Sequence, residues 1–395
     1  MRFLHTSDWH LGRTLHGVDL LDAQRDVLEQ ICRLVAQPPD GVPVDAVLIA
    51  GDVYDRAVPP VEAVALFASA LADLIKHSTV IVTAGNHDSA IRLGFGAELF
   101  TERLRVRTDL ASVGRPVLLG SDPDGSAQVA VYPLPYLDPD AARVVLAPDG
   151  QPLERSHQAV MAAAMERVRH DLASLPAGTR SVVMAHAFVV GGLPSESERS
   201  IVVGGVDSVA AGTFDGMDYV ALGHLHGAQQ PRGSAGTTLR YSGSPLRYSF
   251  SELGHAKSVS MVDIEPDAPV RVTAVPLRQP RAMAELTGTL AELLADDRHA
   301  EDWVRLTVTD RSRPDQLFER VKSRFPHVLQ VLHLPAGARP AGTSTPTAAL
   351  APSPRQLGAD FVEHVTGLAA LDLELDLFEQ AYQAAAIAEA RPGGG

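Results

Sequence analysis

Residues 46–55 read Ala46-Val47-Leu48-Ile49-Ala50-Gly51-Asp52-Val53-Tyr54-Asp55, an apolar run that ends in a glycine followed by acids. A short run that is apolar on both faces describes a strand buried on both sides, as in a parallel sheet covered by helices. The arrangement recurs along the chain. Phe3-Leu4 precedes Asp8-Trp9-His10, and Val80-Ile81-Val82 precedes Gly85-Asn86-His87-Asp88. Val182-Val183-Met184 leads to Ala185-His186-Ala187, and Val220-Ala221-Leu222 to Gly223-His224-Leu225-His226. Polar groups just beyond the carboxyl ends of strands converge at one sheet edge, where open α/β folds bind ligands. Strands are expected at Arg2–Thr6, Ala46–Ala50, Thr79–Thr83, Gln128–Tyr132, Ser181–Ala185, Tyr219–Leu222 and Ser258–Ile264, with helix-period segments at 20–36 and 60–77 between the early ones. The later strands are spaced for an antiparallel or mixed sheet, and two sheets flanked by helices accommodate both patterns.

The residues at these strand ends are metal donors of mixed hardness: Asp8, His10, Asp52, Asn86, His186, His224 and His226, with His87 in addition. A lone D-x-H or H-x-H says little, and Gly-Asp or Gly-Asn-His alone is a turn signal. Five such motifs in order, each closing an apolar strand, point to a metal centre. Asp8 and His10 alternate along what reads as an extended segment, so both should face one ion, and His224 and His226 share that spacing. Two first-row cations about 3.5–4 Å apart need a shared carboxylate, and Asp52 is the expected bridge. Glycines at 51, 85 and 223 allow a sharp turn and a close approach of backbone to ions. Asp55 and Asp88 are expected behind the ligands, orienting them and the histidines.

Length and composition set the outer bounds. The 395 residues suggest two or three domains, and an apolar fraction of 45% is that of a globular protein. A single cysteine, Cys32, precludes an internal disulfide and fits a reducing cytosol. Neither a signal peptide nor a membrane span is legible, so a cytoplasmic, nucleoid-associated location is expected. The net charge of −14, from 34 basic and 48 acidic residues, speaks against a nucleic-acid partner. Net charge describes solubility and steering, however, not local sites. Lysine occurs only at 76, 257 and 322; the remaining basic charge is arginine.

From about Arg281 the texture changes. Ala284–Ala295 and Pro314–Phe325 read as helices, and Trp303–Thr309 and Val328–Leu334 as strands, which together suggest a small α+β domain. Residues 336–356, rich in Pro and Ala, read as a linker. Beyond it Leu371, Leu375, Phe378 and Tyr382 make one apolar helical stripe. The expected division is a 1–278 catalytic domain, a 279–335 capping domain, the 336–356 linker and a 357–391 helical tail.

The ordered set D-x-H, G-D-x-x-D, G-N-H-D, a single His and G-H-x-H resembles the calcineurin-like metallophosphoesterases. Longer stretches narrow the likeness: Asp8–Gly12 (DWHLG), Gly51–Pro60 (GDVYDRAVPP), Gly85–Ala90 (GNHDSA), Asp215–Gly227 (DGMDYVALGHLHG) and Ser242–Leu246 (SGSPL). These resemble the SbcD family of bacterial nuclease subunits. The resemblance implies a four-layer α/β/β/α sandwich with a small α+β cap and a C-terminal helical tail. It implies one Mn²⁺ held by Asp8, His10, Asp52 and His226, and a second by Asp52, Asn86, His186 and His224; Mg²⁺, Zn²⁺ or Fe also suit these donors. His87 would be the catalytic histidine that contacts phosphate, with Asp88 orienting it. It further implies a nuclease of DNA repair and recombination, with 3'–5' exonuclease action on duplex ends and endonuclease action on hairpins and single strands. The partner implied is an SbcC-type SMC-like ATPase gripped by the tail, in a heterotetramer containing a homodimer of this subunit. No G-x-x-x-x-G-K-[ST] occurs here, so any ATP dependence must come from another chain. The alternatives are a stand-alone phosphoesterase on small diesters and a DNA-end tethering subunit.

Overall fold

In the computed structural model, which describes residues 1–100, 102–120, 128–148, 150–198, 208–233, 236–335, 358–359, 362 and 370–378, two sheets stack face to face. The first orders its strands Arg271–Pro276, Ser258–Asp263, Arg2–Thr6, Ala46–Ala50, Thr79–Thr83 and Leu104–Arg107. The last four run parallel, and the first two join antiparallel. The second sheet orders Thr238–Tyr241, Tyr219–Gly223, Arg180–His186, Val129–Pro133 and Val117–Leu119, antiparallel only at the last pair.

Strand periodicity distributes the apolar runs over the layers. Phe3, Ala46 and Leu48 meet Val131, Val182, Met184 and Tyr219 between the sheets. Their chain neighbours Leu4, Val47 and Ile49 point the other way, under helices Leu21–Ala36 and Val61–Leu74, against Leu28, Ile31, Leu66 and Phe67. On the opposite side Tyr132, Val183 and Val220 lie under Pro139–Val145 and His157–Leu172, against Val160, Ala164 and Val168. The result is the expected α/β/β/α sandwich. A slip of one residue in any central strand would exchange its two buried faces, so register is strongly specified. Because the central strands are parallel, their carboxyl ends share one edge.

A separate three-stranded sheet, Met283–Gly288, Trp303–Val308 and Val328–His333, is parallel throughout. Helices Leu290–Leu294 and Leu317–Arg324 cover it through Leu290, Leu293, Val304, Leu306, Leu317 and Val321. The helix expected over Ala284–Ala295 is corrected here: its first half is strand. Thr289 starts the helix instead, its hydroxyl accepting from the Glu292 N–H while the Glu292 carboxylate accepts from the Thr289 N–H. Met283 and Trp303 of this small domain join Leu15, Leu20, Val27, Leu246, Tyr248 and Phe250 in one apolar cluster. The Arg305 guanidinium lies 4.7 Å above the Phe250 ring.

Residues 338–395 form a second unit apart from 1–337. Within it residues 372–378 are helical, and the Leu371 N–H donates to Glu374 Oε2 at 2.8 Å. Leu371 and Phe378 of the expected stripe are exposed. Tyr382, the 336–356 linker and most of the 357–391 tail lie outside the described residues. Among the described residues no helix is long and apolar enough to cross a membrane.

Candidate metal centre

The carboxyl ends of both sheets meet at one point. His186, closing its strand, reaches across to the first sheet and donates from Nδ1 to the Ala50 carbonyl at 3.0 Å. Gly51 follows with φ 84°, and a Cβ there would lie 2.4 Å from His186 Nδ1. A Cβ at Gly223 would lie 1.9 Å from the Ala50 carbonyl oxygen. Gly51 and Gly223 therefore serve the contact between the two sheets, and a Cβ at Gly85 would lie 2.1 Å from Asp52 Oδ1, inside the donor cluster.

Asp52 stands at the centre. Its Oδ2 is 3.3 Å from His186 Nε2, 3.6 Å from His10 Nε2 and 4.0 Å from His87 Nε2. Asn86 Oδ1 lies 2.9 Å from His186 Nε2. His10 and His226 face each other, Nε2 to Nε2, at 3.0 Å. Asp8 accepts the His224 N–H at 3.0 Å, and the His224 ring lies 5.4 Å from that of His186. Among the described residues two donor clusters at this point have the reach for a cation, Asp8–His10–His226 and Asp8–Asp52–His186. A third, His10–Asp55–His87, adjoins them. The structure thus brings together all the residues that sequence motifs singled out.

The backbone does this differently from the extended reading. Asp8 (φ 55°), His10 (φ 44°), Asp52 (φ 50°) and His224 (φ 105°) all have positive φ. Such conformations cost about 1–3 kcal/mol each in non-glycine residues and cluster where function demands them. The Asp8 N–H donates to the Gly51 carbonyl (3.1 Å) and the His10 N–H to the Asp52 carbonyl (3.0 Å), so two neighbouring strand ends hold the turns. Gln24, buried in the first helix, donates to the His10 carbonyl at 2.7 Å and accepts the Gly12 N–H at 3.0 Å.

Asp88 is a correction. Its carboxylate accepts the N–H groups of Val53 (3.1 Å), Tyr54 (2.9 Å) and Gly85 (2.9 Å), which ties the two ligand loops together. The carbonyl of Asp55, not Asp88, takes His87 Nδ1–H, at 2.7 Å. His87 Nε2 is thereby aimed at the cluster. Sequence reasoning also missed Ser197, Glu198, Glu252 and Lys257, which surround His226. The one available signal was a lysine just ahead of a buried strand in a chain that has only three lysines.

The donor set fits divalent cations. His186 gives its Nδ1 hydrogen to a carbonyl, so its Nε2 lone pair faces two oxygens that are also acceptors, Asn86 Oδ1 and Asp52 Oδ2. Three lone pairs converging on one point call for a cation or a proton among them. His10 Nδ1 is buried with no hydrogen-bond partner among the described residues. In the bare protein protons answer this demand. Burial pulls His186 down, but the Asp52 charge outweighs it and lifts the imidazole to about 9. Burial also pushes Asp8 up to about 6. Asp52 is held well below the usual carboxylate range despite its burial, by the histidines around it.

Residues 1–228, more than half of the chain, match the calcineurin-like phosphoesterase family model, and the chain belongs to that family. It is a phosphoester hydrolase, and divalent metals are the cofactors of its family. Residues 279–385 match a second model, described as the Type 5 capsule protein repressor C-terminal domain and labelled SbcD_C. The two matches in succession make this an SbcD-type metallophosphoesterase.

Proposed function

We propose that this chain is the Mn²⁺-dependent DNA nuclease subunit of an SbcCD-type complex. It would hydrolyse phosphodiester bonds at duplex ends (3'–5') and in hairpins and single strands, in repair, recombination and replication. The observation that carries the reading is the convergence on Asp52 Oδ2 of three histidine nitrogens within 4.0 Å. An SbcD_C match over residues 279–385 supports the nuclease-complex context. The division into a 1–278 nuclease domain, a 279–335 cap, a 336–356 linker and a 357–391 SbcC-binding tail belongs to the same proposal.

Asp8, His10, Asp52 and His226 would hold one ion, and Asp52, Asn86, His186 and His224 the other. A mixed imidazole, carboxylate and amide set suits Mn²⁺ better than Mg²⁺, which prefers all-oxygen octahedra. When bound, the pair supplies a water activated near neutral pH and charge to neutralise phosphoryl oxygens. The protein's own contribution is positional. Asp55 fixes His87 Nδ1–H, so the proton that His87 passes to the leaving oxygen travels by Nε2, the atom aimed at the cluster. Asp88 keeps the loops carrying Asp52 and Asn86 at fixed separation.

The test is degradation of end-labelled duplex and hairpin DNA in Mn²⁺, with and without an SbcC-type ATPase and ATP. Cleavage stimulated by the partner is expected. Hydrolysis of bis-p-nitrophenyl phosphate with no cleavage of any DNA, partner present, would assign the chain to small diesters instead.

A further inference from the structure

Beside the donor cluster lies an ion pair whose expense stability does not explain. Lys257 Nζ sits 2.5 Å from Glu252 Oε2, and both side chains are buried. Removing two charges from water costs several kcal/mol per ion, and a well-packed apolar pair commonly serves stability as well. The contacts of this pair converge on one residue, His226. Lys257 Nζ donates to the His226 carbonyl (2.9 Å) and to Ser244 Oγ (2.7 Å). Glu198 Oε1 accepts the His226 N–H at 2.8 Å. Glu252 Oε1 lies 3.2 Å from His226 Nδ1 and accepts the Ser197 hydroxyl, whose oxygen is 2.7 Å from the same Nδ1.

Hydrogen accounting then fixes the tautomer. An ionised carboxylate has no proton to give, and a serine hydroxyl has one. Ser197 gives its hydrogen to Glu252, so the imidazole hydrogen must sit on His226 Nδ1. Nε2 keeps its lone pair and faces His10 Nε2 at 3.0 Å, inside the cluster. Histidine ligands are commonly oriented by a carboxylate on the far nitrogen, and losing it lowers metal affinity about 10–100-fold. Lysine suits the far end of this device, since a compact ammonium donates to the His226 carbonyl and Ser244 Oγ while lying against the Glu252 carboxylate, where a planar guanidinium would not fit.

We propose that the Glu252–Lys257 pair, acting directly and through Ser197, is a positioning device that holds His226 as an Nε2 metal donor. The inference rests on the metal-centre reading above.

It is tested by calorimetric titration of Mn²⁺ into the full chain, with thermal unfolding recorded for each variant. Wild type should take up two ions. Glu252→Leu/Lys257→Met removes both charges together, so it should unfold within a few degrees of wild type while one of its two sites weakens about 10–100-fold. Glu252→Gln and Ser197→Ala should weaken the same site by progressively less, and should turn the spin-coupled Mn²⁺ pair signal partly into that of an isolated ion. If the double variant does not fold, these two decide the matter in the same way. Folded variants that bind both ions with wild-type affinity would overturn the positioning role and leave the metal centre intact. A wild-type protein that binds no Mn²⁺ would overturn the metal reading itself.

Discussion

Asp52 and His87 are each held by backbone as well as aimed by side chain. Asp52 Oδ1 accepts the His87 N–H at 2.9 Å, which leaves Oδ2 for the histidines. Asp52→Ala therefore deletes the carboxylate proposed to serve both ions. Calorimetry of that variant should show neither Mn²⁺ bound; one ion retained at wild-type affinity would disprove the bridge. His87 differs, since its ring is fixed by the Asp55 carbonyl and its nearest approach to Asp52 Oδ2 is 4.0 Å. His87→Ala should keep both ions and lose about 10²–10⁴-fold in turnover, the usual worth of a positioned proton donor. A dead variant that had also lost its metals would make His87 a ligand. These types and spacings were readable in sequence because each motif lies within a few residues of the end of an apolar run. The positive φ values of Asp8, His10, Asp52 and His224 were not, since nothing in a D-x-H or G-H-x-H string distinguishes a left-handed turn from a strand.

Elements carry a different kind of information. The central strands were legible because residues apolar on both faces, such as Ala46–Ala50, have no amphipathic helical reading. Met283–Gly288 was not, because Leu286, Leu290, Leu293 and Leu294 also fit a helical stripe; the Thr289 and Glu292 capping box marks the true start of the helix. The outer partners of His226 come from residues 197–198, 252 and 257, and no spacing rule links such loops to a motif. Between the sheets a polar pair interrupts the apolar layer: His5 Nδ1 and Tyr219 Oη are 2.8 Å apart, both buried. Burial, aided by the Arg240 charge, lowers His5 to about 3 from an ordinary value of 6.5. The unfolded chain then binds the proton first, so stability contributed by neutral His5 is complete above about pH 6.5 and falls as pH drops toward 3. The slope from this one group is about 1.4 kcal/mol per pH unit. His5→Asn cannot take up that proton. Urea unfolding at pH 7, 6 and 5 should show wild type losing stability faster than the variant, by about half that slope from pH 7 to 6 and nearly all of it from pH 6 to 5. Parallel losses would mean that His5 does not titrate on unfolding.

At the scale of the molecule the charge of −14 sets the terms on which DNA can be met. Residues 357–395 hold seven acids (Asp360, Glu363, Asp372, Glu374, Asp376, Glu379, Glu389) against Arg391, so −6 of that charge lies on the segment proposed to meet a protein. The remainder, −14 + 6 = −8, belongs to residues 1–356, which include the metal centre. Two divalent ions would add about +4 at the donor cluster, making a local positive centre on an acidic body. Such a centre can hold one scissile phosphate, but it cannot release the counterions of a long duplex tract, which takes many distributed cations. The isolated chain, loaded with Mn²⁺, should therefore bind duplex ends weakly and with a shallow dependence on salt. An SbcC-type partner should deepen both affinity and slope. Deleting residues 357–395 should abolish that gain while leaving hydrolysis of bis-p-nitrophenyl phosphate unchanged, because none of the donors around Asp52 comes from that segment. Fluorescence anisotropy over a salt series, for the chain alone, with partner, and for the truncation with partner, reads all three. Tight, steeply salt-dependent binding by the isolated chain would show that its own arginines build the duplex-binding surface, and the partner would then be needed for ATP rather than for grip.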